Sequence, residues 1–343
     1  MPSLVAAKFR LFETWSRAAE EVFPAMKKPA DGINPQTFFL KLHEDPLIYT
    51  IKSGWSLVSG LQLCLQDAMG RSFHLLVSPS WDNRARAAQL EVFAKTVELM
   101  APGSTVTVMC TGEEEAEVLR ARQIKTLHAH PNAFIDHRVF RPRLELTRIC
   151  DAVYVGAMVP WKRHDLAWNV PNICVITYRH GASDSDLVVR GYRHLALTNL
   201  QADGSVEFLS PEAVARLICR SRSGLILSAR EGQNNASGEY QFCGVPTIST
   251  PSAGGRAEFF DGASTVIVEP EPAQVERAVA FAVANAPDPQ DIRRRVMEKA
   301  IRHRLRLIDW MSGLVGENLQ ARADETAWLP CFRDKLRLMV PVP

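Results

Sequence analysis

Short apolar segments alternate with helical patterns along almost the whole chain, and this alternation is what most restricts its fold. In the first half FFLKL, LIYTI, FHLLVS and TVTVMC have the length and residue types of strands, and residues 56–68, 83–100 and 113–122 have the periodicity of helices. The second half repeats the rhythm: VYVGAMV, NICVITY, SVEFL, GLILS, PTIST and TVIVE read as strands, with helices near 211–221, 235–243 and 272–285. Such alternation predicts parallel sheets with crossover helices, an α/β fold of two Rossmann-like lobes. The 343 residues, 46% hydrophobic, suffice for two domains of about 100 to 200 residues each. A further amphipathic helix is predicted over residues 3–27, before the punctuation at 29–35. Long helices follow Pro289, and a last helix is predicted from about 324 to 339.

Charge and cysteine usage exclude several function classes. The 40 basic and 38 acidic residues leave a net charge of +2, too balanced to demand a nucleic-acid partner. The 7 cysteines are scattered, without a Cys-x-x-Cys pair or a Cys/His cluster, which predicts reduced thiols and no structural zinc. The opening MPSLVAAKFRLFETW lacks a sustained apolar region, and no stretch reaches the roughly 18 apolar residues of a membrane span. A cytoplasmic protein is expected.

The densest chemistry lies in residues 231–262, EGQNNASGEYQFCGVPTISTPSAGGRAEFFDG. The strand GLILS precedes Glu231 and Gly232, and a helix beginning near Asn235 presents unpaired backbone N–H groups at its start, a favourable place for a diphosphate. Gly232 admits close approach of a ligand to the backbone, and Gln233, Asn234, Asn235 and Ala236 offer amides to phosphate and sugar hydroxyls. Glu239 falls inside the helix, where a carboxylate can accept from two vicinal hydroxyls. Each feature also has a plain reading. Glu231 is then a helix-dipole charge, Glu239 a solvated helix residue, and Gly254-Gly255 an ordinary turn.

Taken together, Glu231, Glu239 eight positions on, Cys243-Gly244-Val245-Pro246 and Gly254-Gly255 followed by Glu258 resemble the donor-site signature of the retaining family-4 (group 1) glycosyltransferases. The resemblance implies the GT-B architecture, in which two Rossmann-like lobes face each other across an interdomain cleft. Residues 1–145 would form the acceptor-side lobe, 146–323 the nucleotide-sugar lobe, and 324–343 a helix crossing back to the first lobe. HPNAFIDHRVFRP resembles the segment that leads into the second lobe, with Ala133 in place of the family glycine. By the same resemblance Glu231 contacts the donor sugar and Glu239 the ribose hydroxyls. VYVGAMVPWKRHDLA matches a strand-loop block in which Lys162 is the diphosphate-binding lysine, Arg163 replaces a glycine and Ala157 replaces an arginine. In SVEFLSPEAVARL the backbone of Leu209 and Ser210 would meet the nucleobase. The plain alternatives are Lys162 and Arg163 as solvated helix-start residues, and Leu209 and Ser210 as part of a strand-turn-helix.

The implied activity is retaining, metal-independent transfer from a nucleotide-sugar donor to a saccharide or lipid-linked acceptor, in polysaccharide or glycoconjugate synthesis, with no cofactor. Two alternatives remain: a transferase-like binding or scaffold protein without catalysis, and a GT-B nucleotide-sugar epimerase. Asp184-Ser185-Asp186 has the spacing of a metal motif, but reads as a solvated turn. The histidines show no metal spacing, and His43 is a weak candidate for a first-lobe site residue. The basic run from Arg293 to Arg306 reads as a solvated helix face with a packing stripe of Val296, Ile301, Leu305 and Ile308. Peripheral contact with the inner face of the membrane is the alternative use of that run.

Overall fold

The computed structural model describes residues 36–54, 57–79, 82–178, 185–324 and 326–341. The helix expected over 3–27, the 29–35 punctuation and Asp184 lie outside these. The chain divides into two compact units, Met1–Pro131 with Arg304–Pro343, and Asn132–His303.

In the first unit, β1 (Gln36–Glu44), β2 (Leu47–Lys52), β3 (Phe73–Ser78), β4 (Thr105–Cys110), β5 (Lys125–His128) and β12 (Met339–Pro341) form a six-stranded sheet in the order β12-β1-β2-β3-β4-β5. From β2 to β5 the strands run parallel, joined through α1 (Leu57–Ala68), α2 (Ala87–Met100) and α3 (Glu113–Arg120). Every residue of β2 is buried, Thr50 and Lys52 included, because both faces of the strand are covered. Tyr49, Ile51, Phe73, Leu75 and Val77 pack on Leu61 and Phe93 of the helices, and each such side chain contributes about 1.5–3 kcal/mol. One departure is the antiparallel pairing of β1 with β2. Only Asp45 and Pro46 separate them, too short a link for a crossover.

The second unit holds β6 (Ala152–Val155), β7 (Ile173–Ile176), β8 (Leu195–Thr198), β9 (Gly224–Ile226), β10 (Thr247–Ser249) and β11 (Thr265–Ile267), ordered β11-β10-β9-β6-β7-β8 and all parallel. The helices are α4 (Ser185–Gly191), α5 (Pro211–Cys219), α6 (Asn235–Phe242), α7 (Pro272–Ala284) and α8 (Pro289–Val315). Strand order grows one way from β6 to β8 and then the other way from β9 to β11. The reversal lies between β6 and β9, and the loops leaving their carboxyl ends diverge there, the usual ligand position in an open α/β sheet.

Three expectations are corrected. SVEFL forms only an isolated bridge, Leu200 with Val206, and Phe208 stands 92% exposed, so the segment has no second strand to pair with. The predicted helix over 324–339 is instead a loop with a 3-10 turn (Asp334–Leu336) followed by β12, which pairs antiparallel with β1. Pro330 removes a helix donor, and Ala327, Lys335 and Leu336 have positive φ, so no helix can run through. Third, only part of the basic run is a solvated face: Arg294, Arg302 and Arg306 are exposed, and the other cations are half-buried or buried. Arg293 donates to the carbonyls of Phe140, Phe242 and His137, Arg295 pairs with Asp261, Lys299 donates to the carbonyls of Glu258 and Phe260, and Arg304 is fully buried against Trp328.

The divide between the units falls at Pro131, ahead of residue 145, because HPNAFIDHRVFRP is held by the second unit. Asn132 Nδ2 donates to the carbonyls of Gln233 and Asn234 at 2.9 Å each. The return to the first unit begins inside α8, at Arg304. Among the described residues no helix is long and apolar enough to cross a membrane.

Candidate donor site

The two loops at the strand-order reversal carry the site. After β6 the chain makes one 3-10 turn (Pro160–Lys162) and enters a left-handed residue, Arg163, with φ 52° and ψ 51°. That conformation is uncommon for a residue with a side chain and is held by its surroundings. The Tyr154 hydroxyl donates to the Lys162 carbonyl. Arg163 Nε donates to the Leu227 carbonyl, and Nη2 to Thr250 Oγ1 at 2.6 Å. Lys162 and Arg163 therefore both project toward the carboxyl ends of β9 and β10, although they are adjacent in sequence.

His164, buried beneath this loop, completes the bracing. Burial pushes its pKa down to about 4, so the ring is neutral. The bonding pattern assigns the proton to Nε2, which donates to the Ala157 carbonyl at 3.0 Å, while Nδ1 accepts from the Tyr192 hydroxyl at 2.6 Å.

The loop after β9 presents Glu231. Its N–H donates to the Ala253 carbonyl at 2.9 Å, and the Ala253 N–H to the Ala229 carbonyl at 3.0 Å, so the Gly-Gly turn is laced to the Glu231 loop. Gly254 has φ 112°, and a Cβ there would stand 2.1 Å from the Glu231 carbonyl oxygen. Only glycine fits that position. Asn234 is also left-handed, at φ 40°, a conformation asparagine tolerates better than most residues. Its Oδ1 caps α6 by accepting from the Ser237 N–H at 2.8 Å, and its Nδ2 donates to Glu231 Oε2 at 2.5 Å.

Four groups converge on the Glu231 carboxylate. Lys162 Nζ pairs with Oε1, Ser228 Oγ and Asn234 Nδ2 donate to Oε2, and Arg256 Nη1 lies 3.8 Å from Oε2. Burial alone would raise the carboxyl pKa. The Lys162 charge and the hydrogen bonds from Lys162, Ser228 and Asn234 outweigh that effect and hold it below the ordinary value. Arg256 is 1% exposed, and donates to the Ser228 and Thr250 carbonyls at 2.8 and 2.6 Å and to Ser249 Oγ at 3.0 Å. Burial pushes its pKa down to about 10 against the opposing pull of Glu231, so it stays charged at neutral pH.

The structure thus brings together Glu231, Lys162, Arg163, Gly232, Asn234 and the turn at Gly254 and Gly255. Glu239 lies inside α6 and is 6% exposed, which removes the reading of an ordinary solvated helix residue. Gln233 Oε1 and Asn235 Oδ1 are buried acceptors without a hydrogen-bond partner among the described residues. Leu209 and Ser210 belong to a separate network. Ser210 Oγ caps α5 by accepting from the Ala213 N–H at 3.2 Å, and Asn199 holds the preceding loop through the Glu207 carbonyl at 2.8 Å. His43, half-buried in the first unit, contacts the Pro46 carbonyl at 3.1 Å.

Sequence reading missed Arg256, His164 and Ser228. Arg256 follows Gly254-Gly255 where nothing local distinguishes a buried arginine from a surface one. His164 was one histidine among 9. Ser228 had a weak signal, a polar residue ending an apolar strand.

No family model matches the chain, and no curated protein matches it in sequence. Solved structures do match in fold. HepE from Anabaena, solved with UDP and glucose, shares 13% identity over 77% of this chain and 77% of its own, with a TM-score of 0.51. Sucrose-phosphate synthase from Thermosynechococcus elongatus shares 14% identity over 80% of this chain and 74% of its own, with a TM-score of 0.52. The fold is the GT-B fold.

Proposed function

We propose that the chain is a glycosyltransferase that takes a sugar from a nucleotide-sugar donor, retains the anomeric configuration and needs no metal. The observation that carries the reading is the cluster at the β6/β9 reversal, where Lys162 and Arg256 flank the Glu231 carboxylate beside the N-terminus of α6, with Arg163 bonded to the ends of β9 and β10 next to it. The binding of UDP and glucose by HepE, a protein of the same fold, supports a nucleoside diphosphate as the leaving group. In the proposed reaction the bond from the anomeric carbon to the diphosphate oxygen breaks. The electron pair leaves with the diphosphate, toward Lys162, Arg163 and the amides following Gly232. An acceptor hydroxyl attacks on the face the diphosphate vacates and passes its proton to the departing diphosphate oxygen. Glu231 orients the donor sugar, Glu239 anchors the ribose, and the backbone at Leu209 and Ser210 meets the base. Gln233 Oε1 and Asn235 Oδ1 supply unspent acceptors for sugar hydroxyls, which is a use for two atoms that folding leaves unpaired.

Thermal-shift and calorimetric titrations with UDP, GDP, ADP and their sugars test the site. One nucleotide should stabilise the native chain by mass action, and Glu239→Ala and Lys162→Ala should each remove the stabilisation at the same nucleotide concentration, leaving binding that calorimetry reads only at higher concentration. Stabilisation by none of them would overturn the reading. A second reading, a donor-binding protein without turnover, is favoured by one observation: buried Ala157 stands where the resemblance calls for an arginine. Sugar transfer to any acceptor in a broad panel, lost in Glu239→Ala, would exclude it.

A further inference from the structure

We infer that Glu231 is the resident counter-ion of Lys162, so that a nucleoside diphosphate must take the lysine from the carboxylate in order to bind. The inference rests on the donor-site reading above and adds a resting state to it. Three donors occupy the carboxylate: Lys162 on Oε1, and Ser228 and Asn234 on Oε2. Two of the groups around it are fixed from elsewhere. Asn234 is held by its bond from the Ser237 N–H and by its place as the α6 cap, and Arg256 by Ser228, Ser249 and Thr250. Lys162 differs: among the described residues its ammonium bonds only Glu231, and it sits on a flexible four-carbon stem. It is the member of the cluster able to leave.

The pair is shielded, with side chains 9% and 12% exposed, so salt screens it little and an incoming phosphate meets the full competition of the carboxylate. A ligand that needs a released Lys162 binds with its intrinsic affinity multiplied by the fraction of molecules in which the lysine is free. Neutralising Glu231 without changing its shape raises that fraction. A carboxylate that served only as a sugar ligand would leave the binding of a sugar-free diphosphate unchanged.

The experiment is calorimetry of UDP, GDP, ADP and inorganic pyrophosphate on the wild type, Glu231→Gln, Lys162→Met and the double variant. Glu231→Gln is expected to bind pyrophosphate and the preferred nucleotide about tenfold tighter than wild type, a shift of the size expected when a locked fraction near nine-tenths is released. In the Lys162→Met background the same substitution should gain nothing, which separates release of the lysine from simple removal of a negative charge. Should Glu231→Gln fail to fold, the wild type still answers: the Glu231 carboxylate 13C resonance must shift as pyrophosphate saturates the site. Wild-type binding with no gain in Glu231→Gln, or no carboxylate shift at saturation, overturns the inference and leaves the donor site standing. No binding by any of the four proteins overturns both.

Discussion

At the scale of single residues, the site depends on two backbone positions that a substitution table would treat lightly. Gly254 lets the turn lie against the Glu231 carbonyl, where a Cβ would come within 2.1 Å. Gly254→Ala should therefore displace the Glu231 loop and cost about 1–3 kcal/mol, with loss of nucleotide binding, read together as a fall in thermal midpoint and in calorimetric affinity. Gly255→Ala is the control, since Gly255 has no positive φ. Asn234 shows the opposite case: a residue with a side chain keeps a left-handed backbone and puts that side chain to use as cap and as Glu231 donor. The Gly-Gly turn and both glutamates were singled out in the sequence by their resemblance to the donor-site signature. The mutual pairing of Lys162 and Glu231 was not, because 69 positions separate them and only strand order makes them neighbours.

At the scale of elements, α8 turns a run of basic residues into internal fasteners. Arg293 donates to three carbonyls, of His137, Phe140 and Phe242, that come from separate segments of the chain. Arg293→Met is expected to lower stability by about 2–4 kcal/mol. Arg294→Met, one position on, removes only exposed pairs with Asp291 and Glu298 and should leave the midpoint unchanged. Urea unfolding of the two variants side by side checks the pair. In sequence both are arginines in one basic stretch, and a solvated face was the natural reading. What separates them is the side of the helix that meets carbonyls from distant loops, which periodicity describes as apolar or polar but cannot describe as carbonyl-rich. The same limit explains β12. Residues 336–339 fall inside the predicted helix, whereas pairing with β1 makes Met339–Pro341 a strand.

At the scale of the whole molecule, acid stability follows from His164. Its pKa is about 4 in the folded chain against an ordinary value of 6.5, so between these values the unfolded state binds more protons. Stability is then complete above about pH 6.5 and declines as pH falls toward 4, by up to about 3 kcal/mol from this group. Denaturant unfolding from pH 7 to 4.5 should show the decline, and His164→Gln should flatten it over that window. An unchanged slope in the variant would place the acid sensitivity elsewhere.

The sequence by itself determined the α/β class, most of the helices and the order of parts in the donor signature. These rest on local periodicity, turn residues and spacing, which the chain carries along its length. The tertiary structure decided which strands lie side by side, and through them the rest. It set β6 beside β9, gathered Lys162, Ser228, Asn234 and Arg256 around one carboxylate, buried Glu239 and added β12 to the edge of the first sheet. Those outcomes come from contacts between segments far apart in sequence, whose energies depend on burial and charge in the folded molecule and leave no periodic trace in the order of residues.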